Sequence, residues 1–386
     1  MADTKILSNE KEGVRRRVSL KDLARQAGCS ITLVSSVVNG AKGNAYVSQA
    51  MRKKILDLAA RCQYRPHFAS RMLRSRGPHT IGVYLQSKTF LQLGNPRYVA
   101  PLLRGISEIC AKCHCDLLMC NLDGGESFSS VLQKVQESRI SGLIIIHPAL
   151  EDEGDDKLRK DEIDHEAERI IVIGHHRLNE RIETIQFDNR AAARAAVEYL
   201  AGLGHRTIGF LGTPLDRKYQ DTNEREEGFR EAVRQFGLSQ RRELVFNAET
   251  NAKPVQSLSW SEMTGHSGVD QLLGLGEGKP TAMIAYNELV AAAACQRLHM
   301  LGVKIPGEMS VIGIDDSDLS LLLWPPLTSV RQPLVAMGRE AARRLLLKQG
   351  VDIAEGGPVH APVSEGVVRF APELIERKST GPFLEK

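Results

Sequence analysis

Two hydrophobic rhythms divide the chain near residue 79. Before it, apolar positions recur at helical spacing. Leu20, Leu23, Ala24 and Ala27 fall at i, i+3, i+4 and i+7, which predicts one apolar helix face. Gly28 follows, with the backbone freedom a tight turn requires. Ser30 is a suitable N-cap for a second helix whose buried stripe is Val34, Val37 and Val38. Ile31, Thr32, Ser35 and Ser36 are left on its outer face, small and mostly polar. A third helix is predicted over 48–63, opening at Ser48. Met51, Ile55, Leu58, Ala59 and Cys62 share one face, and Arg52, Lys53, Lys54 and Arg61 lie elsewhere. Three such helices can close a small all-α core.

After residue 79 the rhythm becomes that of buried strands. The runs TIGVYLQ, CDLLMCN, GLIIIH and RIIVIG alternate with helical stretches, and TIQF, RTIGFLG, ELVF, TAMIAY and MSVIGID repeat the alternation. Continuous apolar strands between amphipathic helices predict parallel sheets covered on both faces. Some ten strands, about the upper limit of an open sheet, point instead to two doubly wound lobes. A ligand would then sit in the crevice at the carboxyl ends of the strands.

Charge changes the reading of the first segment. Up to residue 78 there are 16 Lys and Arg against 5 Asp and Glu, a net of +11. The whole chain has 51 against 47, so the remainder carries 35 against 42, a net of −7. The basic excess sits entirely with the helix pair, as expected of a segment that meets phosphates. Two helices joined by a short Gly turn can equally be an ordinary αα-hairpin. With this charge, the reading is a helix-turn-helix whose second helix enters the major groove of double-stranded DNA.

Composition bounds the rest. A chain of 386 residues, 42% hydrophobic and 25% charged, describes a globular protein of two or three domains. Seven cysteines, odd in number and unevenly spread, argue against a secreted disulfide framework. MADTKILSNEKEGVRRR has no apolar core of a signal peptide, and residues 1–17 read as a disordered tail. No run approaches the ~20 apolar residues of a membrane span. A cytoplasmic location without membrane attachment is expected.

Three motifs invite chemistry. Cys110-Ala111-Lys112-Cys113-His114 matches a c-type haem attachment pattern, and Cys115 and Cys120 are near enough in sequence to suggest zinc. These cysteines straddle a helix end and a regular strand, a poor metal wrap, so neither haem nor zinc is expected. Gly274 to Lys279 resembles a phosphate loop, but Pro280 stands where Ser or Thr is needed and a strand follows rather than a helix. It reads as a helix C-cap and turn. His175 and His176 follow a strand and could serve as ligands or a base; with no carboxylate or nucleophile placed beside them by sequence, a loop role is expected. No cofactor is implied, and no nucleophile–base spacing suggests an enzyme.

The stretches SLKDLARQAGCSITLVSSVVNG, VSQAMRKKIL and YRPHFASRMLRSRGPHTIGV together resemble the N-terminal module of lactose/galactose-repressor family transcription regulators. The resemblance runs on to APELIER and covers all but about the first 17 residues. It implies an N-terminal all-α helix-turn-helix domain over 18–64 and a hinge helix within 65–78, opened by Pro66. An α/β core of two doubly wound, periplasmic-binding-protein-like lobes would follow over 79–386. The chain would cross between lobes near Phe187, Val330 and Gly357. The first lobe would comprise about 79–187 and 331–357, and the second about 188–330 and 358–386. The resemblance also implies a homodimer, usually a repressor, on a pseudo-palindromic operator, with a small-molecule effector between the lobes.

Residue by residue, the DNA-contacting set implied is Ser30, Ile31, Thr32, Ser35, Ser36, Asn39, Tyr46, Ser48 and Arg71, with Leu73 as a minor-groove wedge. The effector set is Asn95, Tyr98, Asp188, Arg225, Trp260, Asn287 and Asp315. Two carboxylates, a guanidinium and an amide can bind vicinal hydroxyls, and an indole offers a ring face an apolar platform. A sugar or sugar derivative fits this set, though a purine would also stack on Trp260. Departures from the family pattern matter. The family often has Asp or Gly after a strand of the first lobe; here it is Gly174, so one possible ligand carboxylate is absent, and the loop SKTFLQLGNP is longer than usual. Leu33 and Ser36 replace the usual Thr and Arg, and His67 and Ser70 replace the common Asn and Ala. The competing class is a solute-binding protein whose N-terminal helices are incidental.

Overall fold

The computed structural model describes residues 18–38, 47–62, 64, 80–85, 96–120, 128–146, 163–175, 177–212, 220–247, 260–353 and 363–383. The chain divides into two compact units, Met1–Arg76 and Gly77–Lys386.

In the first unit, α1 (Leu20–Ala27), α2 (Ile31–Val38) and α3 (Gln49–Arg61) enclose a core of Leu23, Ala24, Ala27, Val34, Val37, Ile55 and Ala59. A capping box starts α1. The Ser19 hydroxyl accepts from the Asp22 backbone N–H at 3.2 Å, and Asp22 Oδ2 accepts from the Ser19 N–H at 3.0 Å. Gly28 ends α1 at φ +71°, a left-handed turn that glycine enters without penalty. The expected tail over 1–17 and hinge helix over 65–76 lie outside the described residues.

The second unit holds two sheets. The first contains β1 (Thr80–Leu85), β2 (Asp116–Cys120), β3 (Gly142–Ile146), β4 (Ile170–Ile173), β5 (Glu183–Phe187), β11 (Val363–Ser364) and β12 (Val367–Phe370). Its order is β2-β1-β3-β4-β5-β12-β11. The second contains β6 (Ile208–Gly212), β7 (Val245–Asn247), β8 (Ala282–Ala285), β9 (Ser310–Asp315), β10 (Thr328–Arg331) and β13 (Glu373–Ile375), in the order β7-β6-β8-β9-β10-β13. All pairings are parallel except β11 with β12 and β10 with β13. Each lobe therefore runs 2-1-3-4-5, a doubly wound order with a switch point beside its first strand.

The helices of this unit are α4 (Pro96–Lys112), α5 (Phe128–Gln136), α6 (Asn189–Gly202), α7 (Gln220–Gln235), α8 (Trp260–Leu273), α9 (Glu288–Met300), α10 (Leu319–Leu322) and α11 (Leu334–Lys348). Central strands such as β3, LIII after Gly142, are buried along their whole length, as sheets covered on both faces require. Helices α4 and α11 cross at Gly105 and Gly338, where a Cβ on either would overlap the other helix's backbone.

One boundary corrects the expected division. Gly357 lies outside the described residues, and the third crossing falls later, between Phe370 and Glu373. β12 pairs in parallel with β5, so residues 363–370 belong to the first lobe, not the second. Glu365 and Gly366, both at positive φ, turn β11 into β12 and return the chain to the first sheet. Four short strands, β10 to β13, and the long helix α11 were absent from the pattern-based expectation.

Candidate functional site: a buried polar chain between the lobes and a capped helix pair

The strand carboxyl ends carry most of the predicted effector residues. Arg225, on α7, is 6% exposed. Its Nε donates to Asn189 Oδ1 at 2.6 Å, one Nη donates to the Tyr286 carbonyl, and the other lies 3.7 Å from Asp315 Oδ1. Asp315 ends β9 at φ +126°, where a side chain is strained. Its Oδ1 also accepts from Gln332 Nε2 at 2.5 Å, just after β10. A guanidinium this buried is tolerable only because its donors are matched. Burial pushes the Tyr286 hydroxyl up to about 12, with Arg225 opposing and Asp315 adding to the rise. That hydroxyl stays protonated and hydrogen-bonds with Asn287 and Ser261.

The polar chain continues into the first lobe. Asn189 Nδ2 lies 2.7 Å from His175 Nε2, and His175 Nδ1 lies 2.9 Å from Glu224 Oε2. His175 follows β4, so its ring joins the first lobe to helices α6 and α7 of the second. Sequence reasoning assigns it a loop role; in the fold it is buried, with Asn189 and Glu224 among its partners. Arg97 of α4 and Asp318, before α10, form a second link at 3.1 Å.

A cavity of about 400 Å³ opens beside this link. Tyr98 and Arg97 line it from the first lobe, Asp315 and Ser317 from the second, and Gln332 and Leu334 from the crossing segment. Tyr98 and Asp315 thus share a cavity, and Arg225 and Asp315 share a contact. Asp188 and Asn287 are helix N-caps. Asp188 Oδ1 accepts from the Ala191 N–H, and Asn287 Oδ1 from the Val290 N–H, both at 2.9 Å. Asn95 lies outside the described residues, as does the side chain of Trp260. Gln332, Asn189, His175 and Tyr286 were missed. Asn189 and Tyr286 each adjoin a residue that was chosen, the one signal that could have found them.

The cysteines are not arranged for a metal. Burial pushes the Cys110 thiol up to about 12 and Cys115 to about 11, so both stay protonated near neutral pH. Among the described residues no cluster of three or more His, Cys, Asp or Glu could hold a metal ion.

In the first unit, two candidates are caps. Ser30 Oγ accepts from the Leu33 N–H at 3.2 Å at the start of α2, and Ser48 Oγ from the Met51 N–H at 3.3 Å at the start of α3. Both helix starts therefore present backbone N–H groups that favour anions. Ile31 and Thr32 are exposed on α2, and Ser35 and Ser36 are half-buried. Ile31, 47% exposed, is an apolar side chain that the core does not use. Lys54 donates to the Ala27 carbonyl at 3.0 Å, closing the end of α1. Asn39, Tyr46, Arg71 and Leu73 lie outside the described residues.

A positively charged three-helix unit ahead of a two-lobed ligand-binding fold defines a class, the ligand-responsive DNA-binding regulators. Comparison with known proteins gives the family. Residues 19–67 match the bacterial regulatory proteins of the lacI family, and residues 197–380 a periplasmic binding protein-like domain. The chain is 26% identical over 329 residues to the HTH-type transcriptional repressor PurR of Aliivibrio salmonicida, covering 85% of this chain and 91% of that one. It is 27% identical to the HTH-type transcriptional regulator AscG of Escherichia coli, covering 94% and 98%. Its fold matches a Lac repressor dimer bound to operator and the anti-inducer ONPF, with a TM-score of 0.71 at 24% identity, over 95% and 100% of the two chains. The chain carries a lacI-family DNA-binding module and a periplasmic-binding-like domain, and is a DNA-binding transcriptional regulator. These relatives are regulators rather than enzymes, and the lacI-type module disfavours a solute-binding protein with no DNA role. No helix among the described residues is long and apolar enough to cross a membrane.

Proposed function

We propose that the protein is a cytoplasmic repressor that binds a pseudo-palindromic operator as a homodimer and is controlled by a sugar or sugar derivative held between its lobes. The observation that carries the effector reading is the buried Arg225, bonded to Asn189 and Tyr286 and facing Asp315 at the carboxyl ends of the strands. A guanidinium and a carboxylate fixed side by side present directed donors and acceptors to vicinal hydroxyls. Asp188, Asn287, Tyr98, Asn95 and Trp260 complete the proposed site. Asp188 and Asn287 hold their side chains by capping α6 and α9, which follow β5 and β8.

On the DNA side, Ile31, Thr32 and Tyr46 carry more of the base contacts than Ser36, and Ser35 joins them from α2. Ser30, Ser48, Asn39 and Arg71 meet the backbone, and Leu73 wedges the minor groove. Leu321, Leu322 and Trp324, at 62%, 76% and 91% exposure, are exposed apolar side chains close together in sequence that a second copy would cover. The Lac repressor to which the fold is similar is a dimer on its operator.

Two measurements test this reading. A selection from a randomised duplex library should yield a pseudo-palindromic site that the full chain binds and a chain lacking residues 1–78 does not; operator binding by the shortened chain would sink the assignment. A thermal-shift panel of sugars, sugar phosphates and purines should raise the melting temperature with a sugar, whereas a shift with purines alone would overturn the sugar class.

A further inference from the structure

The chain Glu224–His175–Asn189–Arg225 fixes its own proton positions. Arg225 Nε can only donate, so Asn189 Oδ1, 2.6 Å away, is the acceptor. The Asn189 amide nitrogen is then the atom 2.7 Å from His175 Nε2, and it too can only donate. His175 Nε2 must therefore present a lone pair. A neutral imidazole with its single proton on Nδ1 satisfies this, and that proton points at Glu224 Oε2, 2.9 Å away. The backbone at this residue is held as well, by Gln186 Nε2 donating to the His175 carbonyl at 3.4 Å. The ring belongs to a residue that is 8% exposed, at the end of a first-lobe strand, while Asn189 and Glu224 stand on second-lobe helices.

We propose that His175 is a positioning residue through which the first lobe sets the Arg225 guanidinium, and that it does so only as the neutral Nδ1–H tautomer. This rests on the reading of Arg225 as an effector-binding group. A protonated ring would turn an Nε2–H toward an amide that also donates. Asn189 cannot rotate to accept it without facing its own NH2 toward Arg225 Nε–H. Glu224 accepts from Nδ1 in both protonation states, so protonation leaves the first lobe tied to α7 and breaks only the link to Arg225. Among the described residues, the charged groups linked to this chain include Glu224 and Arg225 from α7, Arg190 of α6 acting on Glu224, and Asp315 from β9 facing Arg225. Acid thus releases the guanidinium from the first lobe without separating the lobes.

Nitrogen-15 NMR of histidine ring and arginine Nε–H signals in the full-length, ligand-free protein tests this. The His175 signal is identified by its loss in His175→Gln, and the Arg225 signal by its loss in Arg225→Lys. His205, held by Thr281 and Ser310 in the second lobe and pushed down by burial, is the internal control. In the wild type, His175 should be the Nδ1–H tautomer at neutral pH, and the slowly exchanging Arg225 Nε–H signal should collapse with acid as the His175 ring protonates. Glutamine supplies one acceptor and one donor without titrating. In His175→Gln the Arg225 signal should persist and its acid step vanish, and in His175→Ala the signal should be lost at every pH. Asn189→Asp, which turns the donor facing the ring into an acceptor, should make His175 a cation at neutral pH. A wild-type ring protonated at Nε2, an Arg225 signal indifferent to His175→Ala, or an acid step surviving in His175→Gln would each overturn the proposal. No effector is present in these measurements, so a failure of the effector reading would show separately, as ligand binding that ignores Arg225.

Discussion

The two lobes of the core share one wiring and divide the chemistry unequally. Both run their parallel strands in the order 2-1-3-4-5. At the carboxyl ends of the second lobe's strands stand Arg225, Asp315, Tyr286 and Asn287, already bonded to one another or to helix ends. Among the described residues, the first lobe offers the buried ring of His175 and the half-buried Arg97 and Tyr98. The same architecture therefore yields a preorganised polar face on one side, the proposed binding face, and a cover on the other. Preorganisation has a local price in the strained backbone of Asp315, at φ +126°, which its bonds to Gln332 and Arg225 sustain.

Substitutions that separate face from cover should differ in size. Arg225→Ala removes the centre of the proposed binding face and takes the cation away from Asp315; effector affinity should fall by about 2–4 kcal/mol in a calorimetric titration. Asp315→Asn keeps the shape, tolerates the positive φ and removes only the charge, so a loss of about 1–2 kcal/mol is expected by the same titration. Asn287→Ala deletes the cap of α9, which should lower core stability by about 1 kcal/mol in urea unfolding. Arg97→Ala, on the cover, breaks an exposed ion pair with Asp318 and should change stability by less than about 1 kcal/mol. A cover variant that outweighed Arg225→Ala in ligand binding would reverse the assignment of roles.

The legible parts of the molecule are those written in periodic patterns. The helix pair and the nine strand runs reappear within a residue or two of their expected ends, because continuous apolar runs such as those of β3 and β9 encode burial directly. The short strands β10 to β13 span two to four residues each, less than a readable period, so the third crossing was misplaced. In the site, Arg225 and Asp315 were found through the family pattern and do meet. His175 was not, because its partners Asn189 and Glu224 lie 14 and 49 residues further along the chain and meet it only when the lobes come together. The chemistry at Asp188 and Asn287 was ambiguous for a physical reason: a residue that caps a helix at a strand end and one that binds a ligand there have the same identity and place.

Operator binding followed by fluorescence anisotropy, with wild type and Arg225→Ala, in the presence and absence of the sugar that most stabilises the wild type, tests the central claim most directly. The account predicts that the sugar shifts the wild-type affinity for the selected operator, whereas the variant binds that operator as the ligand-free wild type does and does not respond. A variant whose operator affinity responds to the sugar as the wild type's does would contradict it.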